Sequence, residues 1–264
     1  MSLLEPQKIL AVDVGNSFIK AGLFARGQGE LIPEQTLRTT HADAEGAFAE
    51  LLAPDDQGRS GPYYWAVAAV HRGAEQRLAE WAKQRRGDYY RLLDGKEFAL
   101  PIEVKHPEKV GVDRIAAAAA ALRLRRSTTT IVVDAGSAIT VDWVSEQGAF
   151  SGGAILPGMR TQMASLVKAT DQLPPVAAPE EAPPLLGKDT EEAIRSGVYW
   201  GVIGAVRELT DRLAAEFGGE PELFFTGGDG QFLAEYFPQA RWEPNLVLIG
   251  AAQTARRRLR DETP

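Results

Sequence analysis

Residues Ile131–Val144 read IVVDAGSAITVDWV. An apolar run ends in Asp134, Ala-Gly-Ser follows, and a second β-type run carries Asp142. The same order occurs near the N-terminus in ILAVDVGNSFIKAGLF, Ile9–Phe24. Setting Asp13 on Asp134 puts Gly15 on Gly136 and Asn16 on Ser137, with apolar residues matching on both sides. A strand-Asp-x-Gly-turn-strand unit that returns about half a chain later predicts a duplicated domain.

Such a turn has definite chemistry. Glycine lets the backbone approach a ligand without a Cβ in the way. Exposed N–H groups at the turn bind phosphate oxygens, and the hydroxyl or amide residue after the glycine adds donors. A strand-end Asp beside phosphate implies a cation between the two. Two such turns facing each other make a phosphate clamp. The plain alternative is two ordinary β-hairpins with Asp and Gly at their turns; the matched second copy favours phosphate.

Composition narrows the class. The 264 residues suffice for two medium domains or one large one, and 44% hydrophobic with 25% charged residues is ordinary globular usage. The chain has no cysteine, which excludes disulfides, thiolate catalysis and cysteine-zinc sites. His41, His71 and His106 lack metal-ligand spacing. A net charge of −7 does not favour a nucleic-acid partner. No apolar run has the length of a membrane span, and MSLLEPQKILAVD has no signal-peptide pattern, so the expected location is the cytoplasm.

Along the chain, Ile9–Val12 and Phe18–Phe24 predict strands around the first turn, Arg26–Glu30 a hairpin loop, and Leu31–Thr39 a further strand. Thr40 is placed to cap a helix from His41, with Ala44, Phe48, Leu51 and Leu52 on its apolar face. After a loop over Pro54–Pro62, Tyr64–Val70 predicts a central strand and Ala74–Gln84 a helix. A strand is expected over Phe98–Val104, and a long helix over Glu108–Arg126. The alanine run Ala116–Ala121 suits helix propensity and close approach of another backbone, and Arg123, Arg125 and Arg126 suit the dipole of its last turn. Beyond the second turn come a hairpin at Glu146–Gly148, the glycine-rich Ser151–Gly158, and a helix over Met159–Lys168. Asp171–Lys188 is an irregular, proline-rich excursion, a candidate flap. Thr190 is read as the N-cap of a helix towards Phe217, kinked or closely packed at Gly197, Gly201 and Gly204. A short strand Leu223–Thr226, Gly227-Gly228-Asp229-Gly230, a short helix Phe232–Phe237 and a final helix Pro244–Arg260 follow, its RRRLR end read as solvated. Alternating strands and helices in both halves predict α/β with mixed sheets flanked by helices, divided into domains 1–126 and 127–264.

Four segments carry a resemblance: Asp13-Val-Gly-Asn-Ser17, Gly111-Val-Asp-Arg114, Asp134-Ala-Gly-Ser137 and Thr226-Gly-Gly228. With PEKVGVDRIAAAAAA, GGAILPGM and LLGKDTEEAIRSGVYWG, they resemble the type III pantothenate kinases of the acetate kinase/sugar kinase/actin superfamily, over nearly the whole chain. The resemblance implies two duplicated ribonuclease H-like (actin-like ATPase) domains, and ATP-dependent phosphorylation of the primary hydroxyl of pantothenate at the start of coenzyme A synthesis. It makes Asp13, Val14, Gly15, Asn16, Ser17, Phe18, Ile19 and Lys20 an ATP-binding loop, with Asp13 holding Mg²⁺ through water. It makes Ser137, in place of a family Thr, and Gly227 and Gly228 further ATP contacts. Asp113 becomes the general base, expected to stay ionised at its helix N-terminus. Gly111, Val112, Asp113, Arg114 and Thr190 become substrate contacts, and Asp134 the ligand of a monovalent cation, K⁺ or NH₄⁺. A homodimer is implied, with no nucleic acid or membrane partner.

The chain departs from the family where a Tyr often stands nine residues before the catalytic Asp. Val104 takes that place here, with Lys105-His106 after it. The alternatives are a kinase of the same superfamily acting on another small alcohol, and a nucleotide-binding regulator without kinase activity. A P-loop finds no support: Gly187-Lys188 is followed by Asp189, and Ala182 stands where the first glycine belongs. GxGxxG opening a helix and the GxSxG elbow are missing too.

Overall fold

The structure, a computed structural model, describes residues 8–27, 29–54 and 60–261. Parts of the loops expected over 26–30 and 54–62, and most of the N-terminal stretch read for a signal, lie outside the described residues. In order the elements are β1 (Lys8–Val14), β2 (Phe18–Ala25), β3 (Gln35–Thr40), α1 (Ala44–Leu51), β4 (Tyr63–Ala69), α2 (Arg72–Lys83), β5 (Tyr89–Leu92) and α3 (Val112–Leu124). Then come β6 (Thr130–Ala135), β7 (Ala138–Val144), β8 (Phe150–Pro157), α4 (Met159–Ala169), α5 (Thr190–Phe217), β9 (Glu222–Thr226), α6 (Gly230–Ala234), β10 (Arg241–Trp242) and α7 (Leu246–Asp261).

The two sheets repeat one plan. The first has order β3-β2-β1-β4-β5 and the second the mirrored listing β10-β9-β6-β7-β8. In each, the strand carrying the Asp is central. It pairs antiparallel with the strand after its turn and parallel with a strand reached through helical connections. The central strands β1, β4 and β6 are apolar almost throughout because each is covered on both faces. Both sheets are mixed and flanked by helices, the duplicated α/β architecture expected from the sequence.

The chain forms two compact units, residues 1–101 with 105–123 and 245–264, and residues 102–104 with 124–244. They are not separated by one cut near residue 126. The reason lies in α7: its buried face, Leu246 to Ala255, packs on β1, β2 and β4 of the first unit. There Gly250 meets α3 so closely that a Cβ would lie 2.0 Å from the Ala116 carbonyl oxygen. The alanine run does admit another backbone. The RRRLR end is anchored: Arg256 donates to the carbonyls of Ala25 (2.8 Å) and Gly29 (2.9 Å), Arg257 to that of Glu97, and Arg258 pairs with the Glu97 carboxylate at 2.6 Å.

Several boundaries move for identifiable reasons. The strand expected from Leu31 begins at Gln35; Pro33 has no N–H for a ladder. The helix expected from His41 begins at Ala44. Thr40 ends β3, its hydroxyl donates to Asp43 Oδ2 at 2.6 Å, and His41–Asp43 form the turn between. No strand forms over Phe98–Val104; a 3₁₀ turn at Gly95–Glu97 and one bridge from Ile102 to Phe150 replace it. The helix expected from Glu108 starts at Val112 after a 3₁₀ turn at Pro107–Lys109 and stops at Leu124. Arg125 therefore lies beyond the helix and donates to the carbonyls of Ser145 and Glu146 in the β7–β8 turn. The short α6 starts two residues before Phe232. Strand β5 was not foreseen: YYRL is short and only half buried. Helix α5 runs unbroken through Gly197, Gly201 and Gly204, and a Cβ at any of the three meets no atom within 4 Å.

Candidate active site

In the first unit, Asp13 lies one residue from the end of β1. It is in register with Lys20 of β2 and Ala68 of β4. Residues in register share a face of the sheet, so a carboxylate and an ammonium stand side by side at the strand ends. The turn Gly15-Asn16-Ser17 is closed by Gly15 N donating to Phe18 O at 3.1 Å. Val14 O accepts from Val70 N (3.0 Å) and His71 N (3.4 Å), which ties the turn to the β4–α2 connection. His41 Nε2 lies 2.9 Å from Gly15 O, and its ring centroid is 4.5 Å from that of His71. Spacing in the sequence gave no hint that these two histidines meet.

Asp113 is the second residue of α3. The Gly111 carbonyl accepts from Arg114 N and Ile115 N, and Asp113 Oδ1 accepts from Arg114 N at 2.8 Å. A Cβ on Gly111 would lie 2.5 Å from Asp113 Oδ1, so glycine is required for the carboxylate to sit there. The helix N-terminus favours the ionised form of this group, and burial acts against it. Burial pushes its pKa up, and the opposing pull of the Arg114 backbone N–H and guanidinium does not cancel that. A half-buried carboxylate with raised proton affinity is a stronger base than an exposed one.

In the second unit, Asp134 is in register with Thr140 of β7 and Thr226 of β9. Its neighbours are hydroxyls where Asp13 has a lysine. The Thr140 hydroxyl is buried and finds no hydrogen-bond partner among the described residues. Gly136 N donates to Ala138 O at 2.9 Å, so this turn is one residue tighter than the first. Two glycines brace it. A Cβ on Gly158 would lie 1.9 Å from Gly136 O; one on Gly227, whose φ is +88°, would lie 2.3 Å from Ala135 O and 2.4 Å from Asp134 Oδ1. Ser137 O accepts from Gly158 N (3.0 Å) and from the Thr161 hydroxyl (2.6 Å). Asp229 N donates to Ala135 O at 2.9 Å, and the Asp229 carboxylate meets Arg160 at 3.4 Å. Thr161, Arg160 and Asp229 were not singled out from the sequence. They lie just past GGAILPGM and Thr226-Gly-Gly228, segments read only as motif matches.

Beside Gly228, a cavity of about 830 Å³ opens between α4, the proline-rich segment and α6, with Met163, Val176, Tyr199 and Phe232 among its walls. The proline-rich segment has no helix or strand, as expected, yet it is tethered: Trp200 Nε1 donates to Pro183 O and the Ser196 hydroxyl to Leu185 O. The N-cap of α5 is Asp189, whose carboxylate accepts from Glu192 N at 2.8 Å, not Thr190. Thr190 is the first helical residue and exposed. Val104 lies in the second unit against β8, 3.6 Å from where a Gly152 Cβ would be. His106 is exposed and lies 3.6 Å from the Glu108 carboxylate.

The profile of the type III pantothenate kinase family matches residues 9–212. A type III pantothenate kinase of Rhodopirellula baltica is 36% identical over 90% of this chain and 95% of its own, and one from Alkalilimnicola ehrlichii 34% over 94% and 97%. Among solved structures, a Campylobacter jejuni protein described as a Baf family transcriptional activator superposes with a TM-score of 0.58 at 24% identity, covering 95% of this chain and 99% of its own. An ethanolamine utilization protein from Carboxydothermus hydrogenoformans does so at 0.54 and 18%, covering 95% and 91%. These two speak for the fold alone. The family match spans most of the chain and both phosphate-type turns: the chain belongs to the type III pantothenate kinase family.

Proposed function

We propose that the protein transfers the γ-phosphoryl group of ATP to the primary hydroxyl of pantothenate, giving 4′-phosphopantothenate and ADP. The observation that carries this reading is Asp113, a half-buried carboxylate of raised pKa held at a helix N-terminus within Gly-Val-Asp-Arg. Asp113 accepts the hydroxyl proton, the hydroxyl oxygen bonds to the γ-phosphorus, and the bond to the β–γ bridging oxygen breaks. Gly111, Val112, Arg114 and Thr190 bind the acceptor. Residues 13–20 with Ser137, Gly227 and Gly228 bind ATP.

Two ions fit the residues present. Asp13 is a strand-end carboxylate suited to Mg²⁺ through water. Asp134, with a partnerless buried Thr140 hydroxyl in register and a glycine-only space at Gly227, has the hard oxygen donors a K⁺ or NH₄⁺ ion takes. When bound, Mg²⁺ spreads the charge that develops on the phosphates. No described helix is long and apolar enough to cross a membrane; a cytoplasmic homodimer is the assembly we assign by family.

The test is ADP release by purified protein with Mg-ATP, with and without pantothenate, in K⁺ and then Na⁺. Pantothenate-dependent turnover that requires K⁺ is expected. ATP binding without pantothenate turnover would overturn the acceptor and point to another small alcohol, with Val104 the first residue to revert towards Tyr.

A further inference from the structure

The first phosphate turn is held by a side chain that no motif contains. The bond between Thr40 and Asp43 fixes the tight turn after β3, and that turn carries His41 onto the turn after β1. Gly15 O can only accept, so His41 Nε2 carries the hydrogen and donates. His71, whose Nδ1 accepts from Ala74 N, lies with its ring against that of His41.

This bond has a directional consequence. A peptide unit is planar and trans, so its C=O and N–H point in opposite directions. With Gly15 C=O drawn towards His41, the N–H of Asn16 points the other way. That N–H has no partner among the described residues. The preceding carbonyl, Val14 O, is also turned inward, onto Val70 N and His71 N. The two carbonyl oxygens whose lone pairs would repel a phosphate are thus both committed inside the protein.

We propose that His41 is a positioning residue for ATP: by clamping Gly15 C=O it aims the Asn16 N–H at a phosphate oxygen and keeps carbonyl lone pairs out of the phosphate site. This rests on the reading of residues 13–20 as the ATP loop. It adds to that loop a residue from beyond the β1–β2 hairpin, acting through hydrogen bonding rather than charge.

The test compares H41F, which keeps a ring against His71 but has no donor, with H41Q, whose amide N–H reaches the place of Nε2. H41M stands in if H41F does not fold. The readouts are the Mg-ATP dissociation constant by calorimetry, KM for each substrate, and the melting temperature. H41F is expected to weaken ATP binding about tenfold, the scale of one lost hydrogen bond, and to raise KM for ATP in step. KM for pantothenate should stay within about twofold, and H41Q should recover most of the loss. Unchanged ATP affinity in H41F overturns the proposal. So does H41Q no better than H41F with both KM values rising together, since that marks a packing role. If the native protein binds ATP but does not phosphorylate pantothenate, the acceptor reading fails while the calorimetry still decides His41. If it binds no ATP, the phosphate role of the turn fails and the proposal with it.

Discussion

The two glycine turns descend from one pattern and are built differently. The first is four residues from Val14 to its register partner Ile19, is held by His41, and sets Lys20 beside Asp13. The second is a residue shorter between Ala135 and Ile139, is wedged between the backbones of Gly158 and Gly227, and sets Thr140 and Thr226 beside Asp134. A cation beside the carboxylate suits a turn that receives phosphate. Neutral hydroxyls beside it leave room for a bound ion to supply the charge. The duplicated scaffold thus gives its two carboxylates different settings by changing both cross-strand neighbours, Lys20 and Ala68 against Thr140 and Thr226, and one residue of loop length.

Experiments can break this comparison. The largest effect is expected where only one unit has the feature. Asp113 stands at the start of α3, and Asp113→Asn should lower kcat by about a hundredfold to ten-thousandfold with ATP binding retained, as measured by turnover and calorimetry. Next is rigidity. Gly158→Ala drives a Cβ into Gly136 O and should cost about 3 kcal/mol in chemical denaturation. Gly15→Ala, whose Cβ would meet Phe18 O at 3.2 Å, should stay within about 1 kcal/mol of the native protein. Equal losses would mean the turns are equally constrained. The neighbour exchange comes third. Lys20→Ala should raise KM for ATP about tenfold or more while leaving the K⁺ requirement intact. Thr140→Val should do the reverse, raising the K⁺ needed for half-maximal activity about threefold with little change in KM for ATP.

The smallest effect concerns pH. An Asp whose folded-state pKa is raised favours its protonated form in the fold, so ionisation costs stability. That stability is fully present below the ordinary Asp pKa and is lost as pH rises towards the raised value. Asp113→Asn should therefore raise the melting temperature at neutral pH, and the gain should shrink in acid. In the native enzyme the acid limb of kcat/KM should lie above the ordinary carboxylate range.

The pairing of Asp13 with Asp134, the mixed sheets and the alanine-rich helix were all legible because each depends on neighbours in sequence. A strand that is apolar on both faces, a glycine turn and a run of good helix formers declare themselves within a dozen residues. The cap of α5 was misread by one position because Asp189 and Thr190 are both capping residues and only geometry chooses between them. Thr190 and the other acceptor contacts we propose were visible only as motif matches.

Sequence alone determined that the chain holds two copies of one turn, and which residues occupy them. Only the tertiary structure decided that α7, last in the chain, completes the first unit through the Gly250–Ala116 approach. It alone brought His41 to Gly15 across 26 residues and set Lys20 and the two threonines beside their carboxylates. It alone raised the proton affinity of Asp113. The reason is physical: local pattern follows from steric and hydrogen-bonding preferences of adjacent residues. Close approach, cross-strand neighbours and desolvation depend on residues distant in the chain, and they exist only once the chain has folded.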